Sequence, residues 1–237
     1  GKIGKQVRGA YQRTHEVLSY DEYLTRVLSD PYRHTRTAYQ LLRDAIADLT
    51  DALKLVPDAR VRRADALATW ASHLHEAGKD PAEVFRRALD DYDEWIGAHD
   101  DLDVRRRRAA ARMKLGLHLQ AVREDPTVLY AGAVQDLDAV LAKRPSLVDG
   151  WADRGILELN WGLFSKEETH FQEAVRALDR AASLSPEDPT PGVYRGRARE
   201  ALGDWKEALD DYLKAVKMRP ELEPQLAESI ARCRKQL

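Results

Sequence analysis

Cysteine is nearly missing from this sequence. Cys233 is the only one in 237 residues, so no intrachain disulfide can form, and a lone thiol fits a reducing compartment. Long apolar runs are missing as well: none approaches the roughly 18 residues that span a bilayer, and no signal-peptide pattern precedes the first helical segment. An excess of one charge is missing too. With 38 Lys and Arg against 40 Asp and Glu, the formal net charge is -2, whereas a chain built to grip phosphate backbones is basic overall or over a whole domain. These absences predict a soluble, cytoplasmic protein that binds neither membrane nor nucleic acid. A start at Gly1 without methionine predicts a piece cut from a longer protein.

Motifs of catalysis are absent in the same way. "GKIGK" at the start lacks the spacing and the closing Lys-Ser/Thr of a phosphate-binding loop, and there is no Gly-x-Ser-x-Gly or His-Glu-x-x-His. Glu167 and His170 form one Glu-x-x-His, but helical di-metal sites need two such pairs with further carboxylates. His73 and His75, two apart, point to different sides of a helix. Cys233 has no histidine partner at a recognisable spacing and reads as a small buried hydrophobe. The expectation is no enzyme, no cofactor and no metal.

What is present is helix. Charged residues make up 33% and hydrophobic ones 43% of the chain, a globular balance, and no stretch alternates polar and apolar residues long enough for a strand. Pro31, Pro57, Pro81, Pro126, Pro145, Pro186 and Pro220 stand between periodic segments, where they end one helix or open the next. The fold class is all-α.

A repeat runs through the helices. Ala208, Tyr212, Ala215 and Pro220 match Ala174, Leu178, Ala181 and Pro186 at an offset of 34 residues. The pattern recurs at Ala133, Leu137, Val140 and Pro145, and at Ala45, Leu49, Ala52 and Pro57. Small residues let a neighbouring helix approach, the larger one fills the gap between them, and proline stops the helix. In "PTPGVYRGRAREALGDWKEALDDYLKAVKMRP" a glycine, Gly196, interrupts the helix before; "GWADRGILEL" offers Trp151 and Gly155, and "MKLGLHLQ" offers Leu115 and Gly116.

On these residues the chain resembles the tetratricopeptide-repeat family, whose 34-residue unit is one helical hairpin. The resemblance covers about 100–220 well and 20–97 poorly, where "PAEVFRRALDDY" supplies only Phe85 and Ala88. Arg199 stands where the family has its first-helix tyrosine, so the repeats are divergent. The resemblance implies an α-solenoid, a right-handed superhelix of about five hairpins at 20–57, 59–97, 102–144, 147–185 and 189–219. The domain division expected is a basic lead-in or tether over 1–19, divergent hairpins over 20–97, family-like repeats over 98–220 and a capping helix over 221–237. In that last helix Leu226, Ile230, Cys233 and Leu237 recur on one face and would cover the exposed end of the stack. From Pro145 to Pro186 is 41 residues; the extra seven, around "NWGLFSKEETHF", lengthen two antiparallel helices by about one turn of 3.6 residues each. Trp161 and Phe164 then pack on their neighbours rather than forming a protruding tip.

Four consecutive arginines, Arg105–Arg108, open the third hairpin after Asp100, Asp101 and Asp103. Four successive helical residues fan out over roughly 300° and make no flat basic face. They are expected to be solvated, with Asp101–Arg105 and Asp103–Arg107 as i,i+4 pairs. Near the start, "SYDEYLTRVLSDPYRHTRTAYQLLRDAI" faintly resembles a short helical stretch of bacterial serine kinases of the PrkA type through Tyr23, Leu24, Pro31, Thr37, Ala38 and Ile46. It covers under thirty residues without any nucleotide-binding part, and chance similarity between short helices accounts for it.

The family resemblance implies a protein-protein interaction module that binds a peptide or helical segment of a partner on the concave side, lined by first helices. Transferred residue by residue, those positions are Met113, Lys114 and Leu117 in the third hairpin, Asp149, Asp153 and Ile156 in the fourth, and Tyr194 and Arg197 in the fifth. Asp153 and Ile156 replace the basic clamp by which some members hold a C-terminal carboxylate. The mixed set suits a partner with both a basic and an acidic element. The alternative is a regulatory or self-associating accessory domain of a larger bacterial signalling enzyme such as a serine/threonine kinase, possible as a homo-oligomer.

Overall fold

The computed structural model describes residues 35–53 and 59–237; the expected lead-in, most of the first hairpin and the kinase-like stretch lie outside them or fall on side chains not described. Contacts divide the chain into one unit ending at Asp48 and one running from Leu49 to Leu237. Helix α1 (Thr35–Ala52) spans that division, with Leu42 and Ile46 buried on one face.

The second unit is a row of antiparallel helix pairs. They are α2 (Ala59–Glu76) with α3 (Ala82–Ala98), α4 (Leu102–Ala121) with α5 (Thr127–Lys143), α6 (Val148–Ser165) with α7 (Glu168–Leu184), and α8 (Pro189–Leu202) with α9 (Trp205–Met218). A 3₁₀ turn, Pro220–Leu222, leads into α10 (Glu223–Gln236). Among the described residues there is no strand. Local chemistry explains several ends. Asp101 caps α4 by accepting from the Asp103 and Val104 amides at 3.0 and 3.1 Å, satisfying two of the free N–H groups of a first turn. Asp188 caps α8 by accepting from the Thr190 amide at 2.9 Å, and Gly203 ends it at φ +84°, a conformation that a residue with a Cβ rarely adopts.

Each hairpin closes on a notch. A Cβ added at Gly196 would sit 2.6 Å from Tyr212 Cε1, and one at Gly155 would collide with the Leu178 side chain. Ala174, Leu178 and Ala181 are fully buried, as are Ala208, Tyr212 and Ala215. Ala133, Leu137 and Val140 are buried in the third hairpin, whereas Ala45, Leu49 and Ala52 are only half-buried. The long fourth hairpin is as the spacing requires: α6 and α7 have 18 and 17 residues against 14 and 14 in α8 and α9. Its extra turns add a second notch one heptad toward the tip, where Gly162 faces Phe171. Gly116 facing Tyr130 is the same second notch in the third hairpin. There the small residue opposite Leu137 is Ala109, so the family's glycine position falls on Ala109 and Gly116 lies seven residues beyond it.

At the C-terminal end, α10 lays Leu226, Ile230 and Cys233 on Ala208, Tyr212 and Ala215, which withdraws from water a face that a terminal repeat would otherwise expose. Leu237, expected on the same face, lies past the helix and is 68% exposed.

Candidate functional site

First helices of successive hairpins touch one another (α2 with α4, α4 with α6, α6 with α8), while adjacent second helices do not pack to this extent. The stack is therefore tighter along the first-helix layer, which makes that layer its inner side.

The arginine run does not behave as its sequence suggested. Neither Asp101–Arg105 nor Asp103–Arg107 forms. The fan of directions instead sends each guanidinium to a different partner. Arg105 reaches Asp100 and Asp136, Arg106 reaches Asp149 and Asp153 of α6, Arg107 reaches Asp65 of α2, and Arg108 reaches Asp93 of α3 and Asp136 of α5. Arg108 is only 12% exposed at its side chain and Asp136 only 2%. The run is an inter-hairpin ion-pair hub rather than a solvated helix start, because helices packed at 8–10 Å bring acidic residues of four neighbouring elements within reach of long side chains.

Arg108 belongs to a series. Arg63, Arg108, Arg154 and Arg195 each precede the small residue of a notch: Ala64, Ala109, Gly155 and Gly196. Each takes one acceptor from its own hairpin and one from the second helix before it. Arg195 bonds Asp211 through Nε at 2.9 Å and Asp179 through Nη1 at 2.6 Å. Arg108 bonds Asp136 through Nε at 2.8 Å and Asp93 at 2.6 Å. Arg63 grips Asp91 through two nitrogens at 2.6 and 2.7 Å and donates to Thr50 Oγ1 at 3.3 Å. In the fourth hairpin Ala177 stands where the others have aspartate; Arg154 bonds Asp138 at 2.9 Å and takes Glu158 of its own helix instead. The buried carboxylates Asp91, Asp136, Glu158 and Asp211 are thus one per hairpin, each paired, as a buried charge must be.

Glu158 also meets His170, whose Nδ1 lies 2.6 Å from Glu158 Oε2 and whose ring stacks on Trp161 at 4.1 Å. Trp161 packs in turn against the core around Tyr130, and Phe164 is half-buried. Among the described residues no group of three or more His, Cys, Asp or Glu side chains is arranged to hold a metal ion. Nor is any described helix long and apolar enough to cross a membrane. A groove of about 650 Å³ lies between the α2–α3 turn and the end of α4. Within it His118 Nε2 meets Asp80 Oδ1 at 3.1 Å and the His75 ring edge-on at 5.8 Å.

The eight residues singled out from sequence fall on three helices of the inner layer. Lys114, Asp149 and Arg197 are exposed; Met113, Leu117, Asp153, Ile156 and Tyr194 are half-buried. Arg106 joins α4 to Asp149 at 3.3 Å and to Asp153 at 2.8 Å. Burial pushes the Asp153 carboxyl above the usual aspartate range, with Arg106 opposing. Lys114 Nζ bonds Ser72 Oγ of α2 at 3.1 Å. Arg197 lies 5.3 Å over the Tyr194 ring, and Tyr194 packs on the α6–α7 core. Sequence reasoning missed Arg106 and Arg107 as inner-layer residues, since the register taken through Gly116 shifted α4 by one heptad; a heptad preserves the face, so Met113 and Lys114 remain on it.

Stacked helical hairpins with small-to-large notches and a capping helix define an α-solenoid of the tetratricopeptide-repeat fold. Solved structures agree. A tetratricopeptide repeat protein from Parabacteroides merdae superposes with a TM-score of 0.54 at 15% identity, over 84% of this chain and 73% of that one. A thermophilic protein of the same fold from Thermus thermophilus gives 0.52 at 20% identity, over 86% and 98%. YrrB, described as having an unusual peptide-binding site, gives 0.51 at 15% identity, over 89% and 97%. No protein-family model and no curated protein matches the chain. At these identities the likeness establishes the fold.

Proposed function

We propose that this chain is a non-enzymatic protein-interaction module that holds a peptide or helical segment of another protein on its inner layer. The observation that carries the reading is the continuity of that layer. Four first helices lie side by side and present exposed Lys114, Asp149 and Arg197 around half-buried Met113, Leu117, Ile156 and Tyr194. An extended surface of mixed apolar and charged side chains on rigid helices is what segment recognition needs. The peptide-binding site named for YrrB supports it. Aromatic and arginine side chains contribute most per residue at interfaces, which puts Tyr194 and Arg197 first.

The test is a pull-down followed by titration of the captured partner. Tyr194→Ala with Arg197→Ala should weaken binding at least tenfold while helical circular dichroism stays unchanged. Undiminished affinity in that double variant would move the site to the outer face or the ends of the stack.

A further inference from the structure

We infer that the segment bound on the inner layer is acidic, recognised through side-chain carboxylates by Lys114 and Arg197. This inference rests on the peptide-binding reading above and narrows it. A partner with both a basic and an acidic element was the expectation from residue types alone, and the ion pairs change that expectation.

The charge inventory of the layer is lopsided. Its aspartates are taken: Asp65 by Arg107 at 2.7 Å and by the Tyr92 hydroxyl at 2.6 Å, Asp103 by Arg144 at 2.6 Å, Asp149 and Asp153 by Arg106; Glu76, at the far end of α2, meets only His73 among the described residues. A basic residue of a partner would have to displace an arginine already in place, and would recover little beyond the pair it broke. Two cations, one on α4 and one on α8, are in the opposite position, as is exposed Arg62 on α2. Among the described residues, Lys114 meets only a neutral hydroxyl and Arg197 only the face of Tyr194. Both are exposed. A carboxylate arriving at either one gains a charge-assisted hydrogen bond and displaces no ion pair.

Placement along the helices separates the two kinds of charge. Asp149 and Asp153 precede Ile156 toward the start of α6, whereas Lys114 lies in the second half of α4 and Arg197 is level with Ile156 by repeat register. Ile156 stands on the helix between the two cations, and Met113 and Leu117 on α4 and Tyr194 on α8 flank it, all half-buried. The ligand strip therefore reads cation, apolar floor, cation. With neighbouring helices 8–10 Å apart, α4 and α8 are separated by roughly 16–20 Å. An extended chain covers that span in about five or six residues at 3.3–3.6 Å each. The matching segment carries two acidic residues about that far apart, with an apolar residue between them. Because side-chain carboxylates suffice, a free C-terminus is not required.

The experiment uses the full chain, immobilised, and a random library of twelve-residue peptides, all acetylated and C-terminally amidated. The inference expects enriched sequences with paired Asp or Glu five to six positions apart and depleted Lys and Arg. It also expects that Lys114→Glu with Arg197→Glu, both exposed positions whose variant retains the native circular dichroism, weakens the best acidic peptide at least tenfold. The same variant should bind the lysine-substituted peptide better than the native chain does. Enrichment of basic or uncharged peptides, or an acidic preference that survives the double reversal, overturns this inference and leaves peptide binding standing. A library from which nothing is enriched overturns both.

Discussion

Replacing Asp136 by asparagine should cost far more than removing any surface charge of the same size. Its carboxylate is 2% exposed and receives Arg108 through two nitrogens, Arg112 Nη1 at 2.8 Å and Arg105 more distantly at 3.8 Å. Arg108 and Arg112 are themselves only 12% and 19% exposed. Asparagine keeps the shape but removes the buried counterion of two largely buried guanidinium groups, leaving them only the half-exposed Asp93 at 2.6 and 3.4 Å. Breaking a buried pair in this way costs about 3–5 kcal/mol, which at about 1.4 kcal/mol per tenfold is roughly two to four orders of magnitude in the folding equilibrium. The control is Glu173→Gln, whose pair with Arg176 is 44% and 70% exposed and is worth about 0–1 kcal/mol. Urea denaturation by circular dichroism compares the two. Urea is the right denaturant because a guanidinium salt would screen the effect under test. Hydrogen exchange should place the loss in α4 and α5, since a repeat array transmits stability chiefly between neighbours. Asp136→Leu combined with Arg108→Met and Arg112→Met should recover much of the loss. If Asp136→Asn shifts the urea midpoint no more than Glu173→Gln does, the buried ion pairs are not what couples the hairpins.

Packing and pH give two further expectations. Ala181→Leu, Ala215→Leu and Gly196→Ala each insert atoms where none fit and should each lose about 1–3 kcal/mol, read as lower thermal midpoints; unchanged melts would show the notch register to be misassigned. Asp153 is held above the ordinary aspartate range by burial, so its contribution to stability is fully present below the unfolded value of about 3.9 and is lost as pH rises through the folded one. The native chain should therefore lose stability relative to Asp153→Asn as pH is raised from about 4, and a constant difference across a pH series of melts would refute that assignment.

The helices and the repeat were legible from sequence because each rests on local spacing, and the hairpin pairing and the solenoid through the family resemblance that the repeat carries. Proline stops, small residues about two turns apart and a larger residue between them are local rules that any packed hairpin must obey. The seven-residue excess in the fourth hairpin was legible for the same reason: two extensions of about one turn each keep the register, and Trp161 had to meet a neighbour. The first notch of the third hairpin was hidden because alanine, Ala109, fills it as well as glycine would, while Gly116 marks a different notch one heptad away. Cys233 was placed correctly as a packed hydrophobe by helical periodicity alone, and Leu237 was misplaced because periodicity does not say where the helix stops.

The Arg-Asp series shows where local reading ends. "DYD", "DLD" and "ALD" stand on three second helices, and an arginine precedes a small residue on every first helix of the second unit. Sequence spacing alone offered Asp101 and Asp103 as partners for the arginine run. Tertiary packing selected Asp65, Asp93, Asp136 and Asp153 instead, 15 to 47 residues away in the chain. A carboxylate one turn away on a wet helix surface gains little, whereas one on a packed neighbouring helix sits in a drier, lower-dielectric place where the same charge counts for more. The sequence by itself determined which residues are helical and which positions are small. Only the stack decided which charges meet, and through that, which charges the inner layer still has to offer a partner.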